Sequence, residues 1–347
     1  MIRKLAWALV ILSLLAGAGA GYAWWYLQRY MDQPIAALDE PLDLVVEPGT
    51  SLTRMVYRLA DQQVLHYPRA LIYYLRFTGQ TGLKAGEYRF EPGLTPKGLM
   101  QKMARGEHRS YQVTLLEGWT FQQALAHLQQ QPALVIALDP GDEQALRDSL
   151  GVDPKYPSPE GLFFPDTYSY VRGMSDRDVL RVAYRKMQEV LATYWPGRDD
   201  DLPISTPYEA LVLASIVERE TAVDSERELI AGVFVGRLRK GMRLQTDPTV
   251  IYAMGDQYRG NIRRKDLQID SPYNTYRITG LPPTPIALSS ERSIEAALQP
   301  AATDKVYFVA RGDGSHQFSR TLAEHNRAVR EYQLNRSKDY RSVPKSQ

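Results

Sequence analysis

Thr206-Pro-Tyr-Glu-Ala-Leu-Val-Leu-Ala-Ser-Ile-Val-Glu218-Arg-Glu-Thr221 is the most decisive stretch of this chain. Thr206-Pro207-Tyr208-Glu209 reads as a capping box: a hydroxyl to accept from a free amide, a proline suited to the first turn, and a glutamate to bond back. From Leu211 to Val217 the residues leave no wide polar side at 100° each, so the pattern predicts a helix enclosed by protein. Leu211, Ala214, Ser215 and Glu218 share one narrow sector of it. Burial disfavours a charged carboxylate, and so does the negative end of a helix. Both predict a Glu218 that holds its proton, and mark it as a candidate centre of chemistry. The plainer reading is a frayed-end carboxylate, Glu218 or Glu220, paired with Arg219 or another cation.

Outward from this helix, Leu5 to Leu27 carries no charged residue and is long enough to cross a hydrocarbon core of roughly 30 Å. Arg3 and Lys4 precede it, and their positive bias predicts a cytoplasmic amino terminus with the rest of the chain exported. Trp24, Trp25, Tyr26 and Tyr30 read as an interfacial belt, which suits a retained anchor. The small residues Ala16 to Gly21 also permit a cleaved signal peptide. The net charge is +2, with no basic run of the kind a nucleic-acid footprint needs. The absence of cysteine excludes disulfides and thiolate sites, and the histidines His66, His108, His127, His316 and His325 are scattered without ligand spacing. We therefore expect no metal and no cofactor.

A local pattern recurs three times: Leu44-Val-Val-Glu47-Pro-Gly-Thr-Ser51, Tyr88-Arg-Phe-Glu91-Pro-Gly-Leu-Thr95 and Val113-Thr-Leu-Leu-Glu117-Gly-Trp-Thr120. Each reads as a strand, a Glu/Gly turn and a Ser/Thr helix cap before an amphipathic stretch. Strand-to-helix joints favour these residue types in any case. The expected fold class is α+β: an N-terminal transmembrane helix, a small α+β region and a larger mixed α+β domain. The expected segments are a tail at 1–4, a span at 5–27, a linker at 28–41, an α+β region at 42–130, a connection at 131–159, a catalytic domain at 160–340 and a tail at 341–347. Within the last domain the markers are Glu160-Gly-Leu-Phe-Phe-Pro165-Asp-Thr-Tyr168, a helix opened by Ser225-Glu-Arg-Glu228, and Met242 to Tyr252 with Asp247 as a helix cap. Tyr273-Asn-Thr-Tyr276, the Pro-rich Gly280 to Ile286, a hairpin around Gly312-Asp-Gly314 and a helix from Thr321 follow.

Ala214-Ser-Ile-Val-Glu218-Arg-Glu-Thr221, Met242 to Tyr252, Tyr273 to Tyr276 and Gly280-Leu-Pro-Pro283 together resemble the endolytic murein transglycosylases, the MltG or YceG-like family. The resemblance runs nearly end to end, and residues 42–106 resemble a lysin-motif domain, a fold that binds N-acetylglucosamine polymers. It implies a single-pass inner-membrane protein that cuts nascent peptidoglycan strands in the periplasm near peptidoglycan synthases, with the catalytic glutamate at Glu218. Thr284 stands where such proteins usually have glycine, which brings the local loop shape into question.

For a lytic cleavage, the resemblance implies that Glu218 protonates the oxygen between N-acetylmuramic acid and N-acetylglucosamine. As a carboxylate it then takes the proton of the muramic acid C6 hydroxyl as that oxygen attacks C1, leaving a 1,6-anhydro end. The nucleophile belongs to the same sugar, so no second carboxylate is needed. A muramidase-type hydrolase needs one, roughly 5–9.5 Å away. Asp247, Glu160, Asp166 and Glu220 are the candidates, with Asp247 better explained as a cap and Glu220 ~200° around the helix axis from Glu218. A non-enzymatic wall-binding scaffold is the third reading. Gln245, Thr246, Asp247, Tyr273, Asn274 and Tyr276 supply the amide, hydroxyl and aromatic groups expected on a sugar-binding wall.

Overall fold

The computed structural model describes residues 2–334, and its elements follow from caps and turns that sit close together in sequence. Helix α1 (Ile2–Met31) leads to β1 (Leu42–Val46), α2 (Leu52–Asp61), α3 (Pro68–Phe77), β2 (Gly86–Phe90), α4 (Pro96–Arg105), β3 (Ser110–Thr114) and α5 (Phe121–Gln129). Next come α6 (Glu143–Leu150), β4 (Thr167–Val171), α7 (Asp176–Tyr194), α8 (Pro207–Glu220), α9 (Arg227–Arg239) and α10 (Asp247–Met254). The chain continues through α11 (Glu291–Leu298), β5 (Tyr307–Ala310), β6 (His316–Ser319) and α12 (Leu322–Val329). The fold is mixed α+β, and the strands among the described residues pair in three two-stranded sheets.

The three recurring motifs adopt one local geometry. Ser51, Thr95 and Thr120 cap α2, α4 and α5 by accepting from Arg54, Gly98 and Gln123 amides at 3.2, 3.0 and 3.2 Å. Gly49, Gly93 and Gly118 in the preceding turns all have positive φ, at 79°, 84° and 74°.

The described residues divide into two compact units, 2–111 with 170–173, and 112–169 with 174–334. In the first, β1 and β2 pair antiparallel from Leu42↔Phe90 to Val46↔Gly86, with two helices between them and α4 after them. Leu44, Met55, Leu59, Leu71, Leu75, Tyr88, Phe90 and Met103 fill its core. Helix α1 contributes Met31 to that core, and Trp24 and Leu27 pack against it. From Arg3 to Met31, α1 is long and apolar enough to cross a membrane, and it fits a single-pass anchor.

In the second unit α8 is the central rod. Ala210 through Val217 are all buried, and α11 and α9 pack against it. The all-round apolar pattern of this helix is thereby accounted for, since neighbours cover every side. Thr206 caps it by accepting from the Glu209 amide at 3.2 Å. The Glu209 carboxylate, however, accepts from the Ser205 amide at 2.5 Å, so the reciprocal bond of the expected capping box reaches one residue further back.

Other local expectations are corrected. The stretch expected as a connection contains α6, capped by Asp142 and closed by Gly151 in the left-handed conformation. A 3-10 turn over Asp224–Glu226 precedes α9, which begins at Arg227 and not at Ser225. Asp247 is the first residue of α10 and not its cap, a position held by Thr246. The hairpin β5–β6 forms as expected, and Thr321 opens α12 with a capping box to Glu324.

Candidate active site

Glu218 lies on the last turn of α8 with its side chain only 5% exposed. The helix face that carries it is zipped to the segment after the Pro-rich loop. One turn earlier, Ser215 donates to the Val212 carbonyl at 2.7 Å and accepts from the Ile286 amide at 3.0 Å. Glu218 Oε2 then accepts from both the amide and the hydroxyl of Ser290, at 2.9 and 2.5 Å. Ser290 is the N-cap of α11, so the carboxylate sits at the positive end of that helix. Glu218 Oε1 is 3.3 Å from Nη1 of Arg227, itself buried and bonded to Ser293 at 2.6 Å and Asp224 at 3.1 Å. Arg227, the Ser290 donors and the start of α11 thus surround this carboxyl group, and none of them is visible in the sequence around Glu218.

Above Glu218 lies a cleft of about 680 Å³, lined by Glu117, Gly118, Glu218 to Ala222, Asp224, Arg227 and Arg292. Its rim is fixed by backbone pairing: Gly118 N donates to Leu288 O at 2.8 Å and Leu288 N to Trp119 O at 2.7 Å. Arg219 Nη1 donates to the Gly118 carbonyl at 3.0 Å. The Glu/Gly turn of the third motif thus forms a wall of the cleft. Partial shielding, followed by the charge of Glu218, raises the Glu117 pKa above the ordinary carboxylate value. Arg219 also lines a second depression of about 890 Å³, with Gln123, Glu160, Ile251, Tyr252, Tyr258 and Ile286 among its walls. The two depressions therefore adjoin at one side chain.

Two further buried acids brace this region. Glu160 accepts from Phe121 N at 2.8 Å and Tyr252 Oη at 3.1 Å, and burial raises its pKa to about 7. Next to it, Gly161 has φ +73°, and an added Cβ would lie 2.3 Å from Cβ of Pro285. This contact packs the Glu160 motif against the Pro-rich loop. Burial likewise raises the Glu220 pKa to about 7, although the Thr246 hydroxyl donates to its carboxylate.

The six expected wall residues form one cluster behind that glutamate, and none is among the residues lining the cleft at Glu218. Thr246 is buried and held by Thr275 Oγ1 at 3.1 Å. Exposed Gln245 is one of four described non-glycine residues with positive φ, at 50°, and its amide donates to Thr275 O at 3.1 Å. Asp247 is exposed and accepts from Tyr276 Oη at 2.6 Å. Asn274 is fully buried: its amide donates to Leu267 and Ile269 carbonyls at 3.0 and 2.8 Å and accepts from Tyr276 N at 3.1 Å. These bonds occupy Asn274 as a brace of its own loop. The Tyr273 ring packs against Tyr252 at a tilt of 55° with centroids 4.8 Å apart, and its hydroxyl bonds Thr284 Oγ1 at 2.9 Å. Thr284 also donates to the Pro285 carbonyl at 2.7 Å and is absent from the positive-φ residues, so the loop does not require glycine there.

Of the other proposed second carboxylates, Asp166 is half-exposed and paired with Lys186, whose hydrogen bond holds its pKa down. Ser290, Arg227 and Glu117 were not legible as site residues. The only sequence signal was the serine pair after the Pro-rich loop, which reads as a helix cap.

The fold and site define an α+β protein with a carboxylate-lined cleft at the end of a buried helix. A family model, the YceG-like family, matches residues 44–331, and the chain belongs to that family. An endolytic murein transglycosylase of Bacillus subtilis is 32% identical over 308 residues, covering 84% of each protein. A protein of the same name from Streptococcus pneumoniae is 26% identical over 359 residues, 93% of this chain and 64% of that one. A crystal structure of a yceG-like protein from Listeria monocytogenes matches with a TM-score of 0.53 at 29% identity, covering 83% of this chain and 98% of that one.

Proposed function

We propose that this chain is a membrane-anchored peptidoglycan lytic transglycosylase, with its amino terminus in the cytoplasm and its second unit in the periplasm. The observation that carries the mechanism is Glu218: a carboxyl group shielded from bulk water, fixed by Ser290 and Arg227 at the base of an open cleft. Such a group is positioned to give a proton to a glycosidic oxygen and then receive one from the C6 hydroxyl of the same muramic acid. The product is a 1,6-anhydro end, and no water is consumed. Two adjoining depressions on one face suit a strand lying across the site, and so an internal cut. The wall around Gln245, Asp247 and half-buried Tyr276 is a candidate sugar contact, with exposed polar groups on Gln245 and Asp247 and with Thr246, Asn274 and Tyr273 holding it in place. Residues 42–106 would add affinity for the glycan, and proximity to peptidoglycan synthases would follow from anchoring beside newly made strands.

Hydrolysis by a muramidase is the second reading, and one observation favours it: Glu117 lines the same cleft as Glu218 and is electrostatically coupled to it. Mass spectrometry of products from purified murein separates the two, anhydro ends against reducing ends. For the lytic reading, Glu218→Gln abolishes anhydro product, a loss of about 10²–10⁴-fold or more for removal of a positioned acid, while Glu117→Gln retains it. Full cleavage by Glu218→Gln would refute the assignment of the acid.

A further inference from the structure

Helix α3 is amphipathic in the structure, and among the described residues nothing covers its outer face. Leu71, Ile72, Tyr74 and Leu75 are buried in the first unit, whereas Tyr73 is 73% and Phe77 81% exposed. Two aromatic rings separated by one helical turn are an unusual surface for water. Exposed Arg69 and Arg76 flank them.

Their position is set by α1. The Trp24 ring lies 5.0 Å from Tyr74 and 5.2 Å from Phe77, while Tyr67, the residue before α3, lies 5.9 Å from both Tyr26 and Tyr30. Along α1, Trp24 precedes Tyr30 by about 9 Å at ~1.5 Å per residue. Helix α3 therefore descends as it runs, with its carboxyl-terminal turn at the level where the uncharged stretch of α1 ends in aromatic residues. Between the two helices lies an apolar groove of about 950 Å³ that includes Trp24, Leu27, Tyr73 and Phe77.

We propose that this face of α3 is a second membrane contact, seated in the interfacial layer of the bilayer that α1 crosses. Tyr73 and Phe77 enter the headgroup and upper acyl region, a lipid chain fills the groove, and Arg69 and Arg76 meet lipid phosphates. The apolar strip is continuous with the lipid-facing surface of α1, and the arginines carry the charge that phospholipid headgroups attract. The contact rests on α1 being a retained anchor. Helix α1 alone leaves rotation free, whereas two contacts fix the first unit's orientation on the membrane.

The chain has no cysteine, so single spin labels read out without background. Full-length protein in nanodiscs of phosphatidylethanolamine and phosphatidylglycerol would carry labels at Tyr73→Cys, Phe77→Cys, Leu12→Cys in the span, or Glu47→Cys on the exposed turn after β1. Labels at 73 and 77 are expected to collide with oxygen several-fold more than with a water-soluble nickel chelate, as at 12, with the reverse at 47. Matching nickel access at 73, 77 and 47, with 12 shielded, overturns the proposal and leaves the anchor intact. Nickel access at 12 overturns both. Spin-spin broadening between labels at 73 without oxygen access assigns the face to a second copy and also overturns it. Hydroxyl-radical footprinting of the unsubstituted chain gives a second test. Tyr57, 38% exposed on α2, should be oxidised more than Tyr73 and Phe77 in nanodiscs, inverting the order of protein exposure. Retention of that order is the contrary result.

Discussion

Glu160→Gln tests the energetics of the buried braces. A glutamine is neutral at every pH and keeps an oxygen to accept from Phe121 N, while its amide nitrogen, standing in place of Oε2, turns Tyr252 Oη from donor to acceptor. The folded-state pKa of Glu160 is about 7 against an ordinary 4.5. Below pH 4.5 folded and unfolded chains both hold the proton, and the stabilisation is fully present. Between 4.5 and 7 the unfolded chain releases it while the folded one retains it, so stability falls as pH rises and is lost above 7. The gap amounts to about 3 kcal/mol. The variant should match the wild type near pH 4.5 and exceed it at pH 8 by about that amount, or roughly 6–12 °C in melting temperature for a domain of this size. Melting of the full-length protein in one detergent across this pH range provides the measurement. Taking the difference between variant and wild type removes the parallel contribution of Glu220. Parallel pH profiles would show that Glu160 is ionised in the folded chain and refute the reasoning.

Three further substitutions probe separate parts of the frame. Arg227→Met strands the Glu218 carboxylate beside a lost buried cation and should destabilise by about 3–5 kcal/mol; adding Glu218→Gln should recover much of that in a double-mutant cycle of thermal melts. Gly161→Ala forces a side chain into positive φ and onto Pro285, so it should cost at least about 1–3 kcal/mol and reduce murein cleavage through displacement of the Pro-rich loop. Thr206→Ala removes the cap of α8 and should cost about 1 kcal/mol by denaturant unfolding, with the products of cleavage unchanged.

Much of the fold was written locally. Ser51, Thr95, Thr120 and Thr321 announce their helices, because a cap and the amides it satisfies lie within three residues. Helix α8 was legible for a related reason, since a stripe of apolar residues on all sides has only one stable environment. Helix α3 escaped notice: Tyr67, its N-cap residue, is left-handed and makes no side-chain cap, leaving tertiary packing to hold its start. The Ser175 and Asp178 capping box of α7 was present in the sequence but belonged to none of the long motifs. Asp247 showed the ambiguity of a carboxylate before proline, which suits a cap and the first helical residue alike. At the site, Glu218 stood out because an acid in an apolar helix is visible by contrast. Its surroundings did not, because Glu117, Arg227 and Ser290 come from three other stretches that meet only after α8, α9 and α11 have packed.

Ser290 holds the acid with its hydroxyl while that same oxygen accepts from the Ser293 amide at 3.3 Å to start α11. Ser290 thus joins the acid to the first turn of α11, and a ligand that draws Glu218 away from this hydroxyl is expected to change how that turn frays. The Ser293 amide becomes a natural reporter: its exchange with solvent deuterium would follow ligand titration without any dye or substituted residue, even for a glycan too inert to be cut.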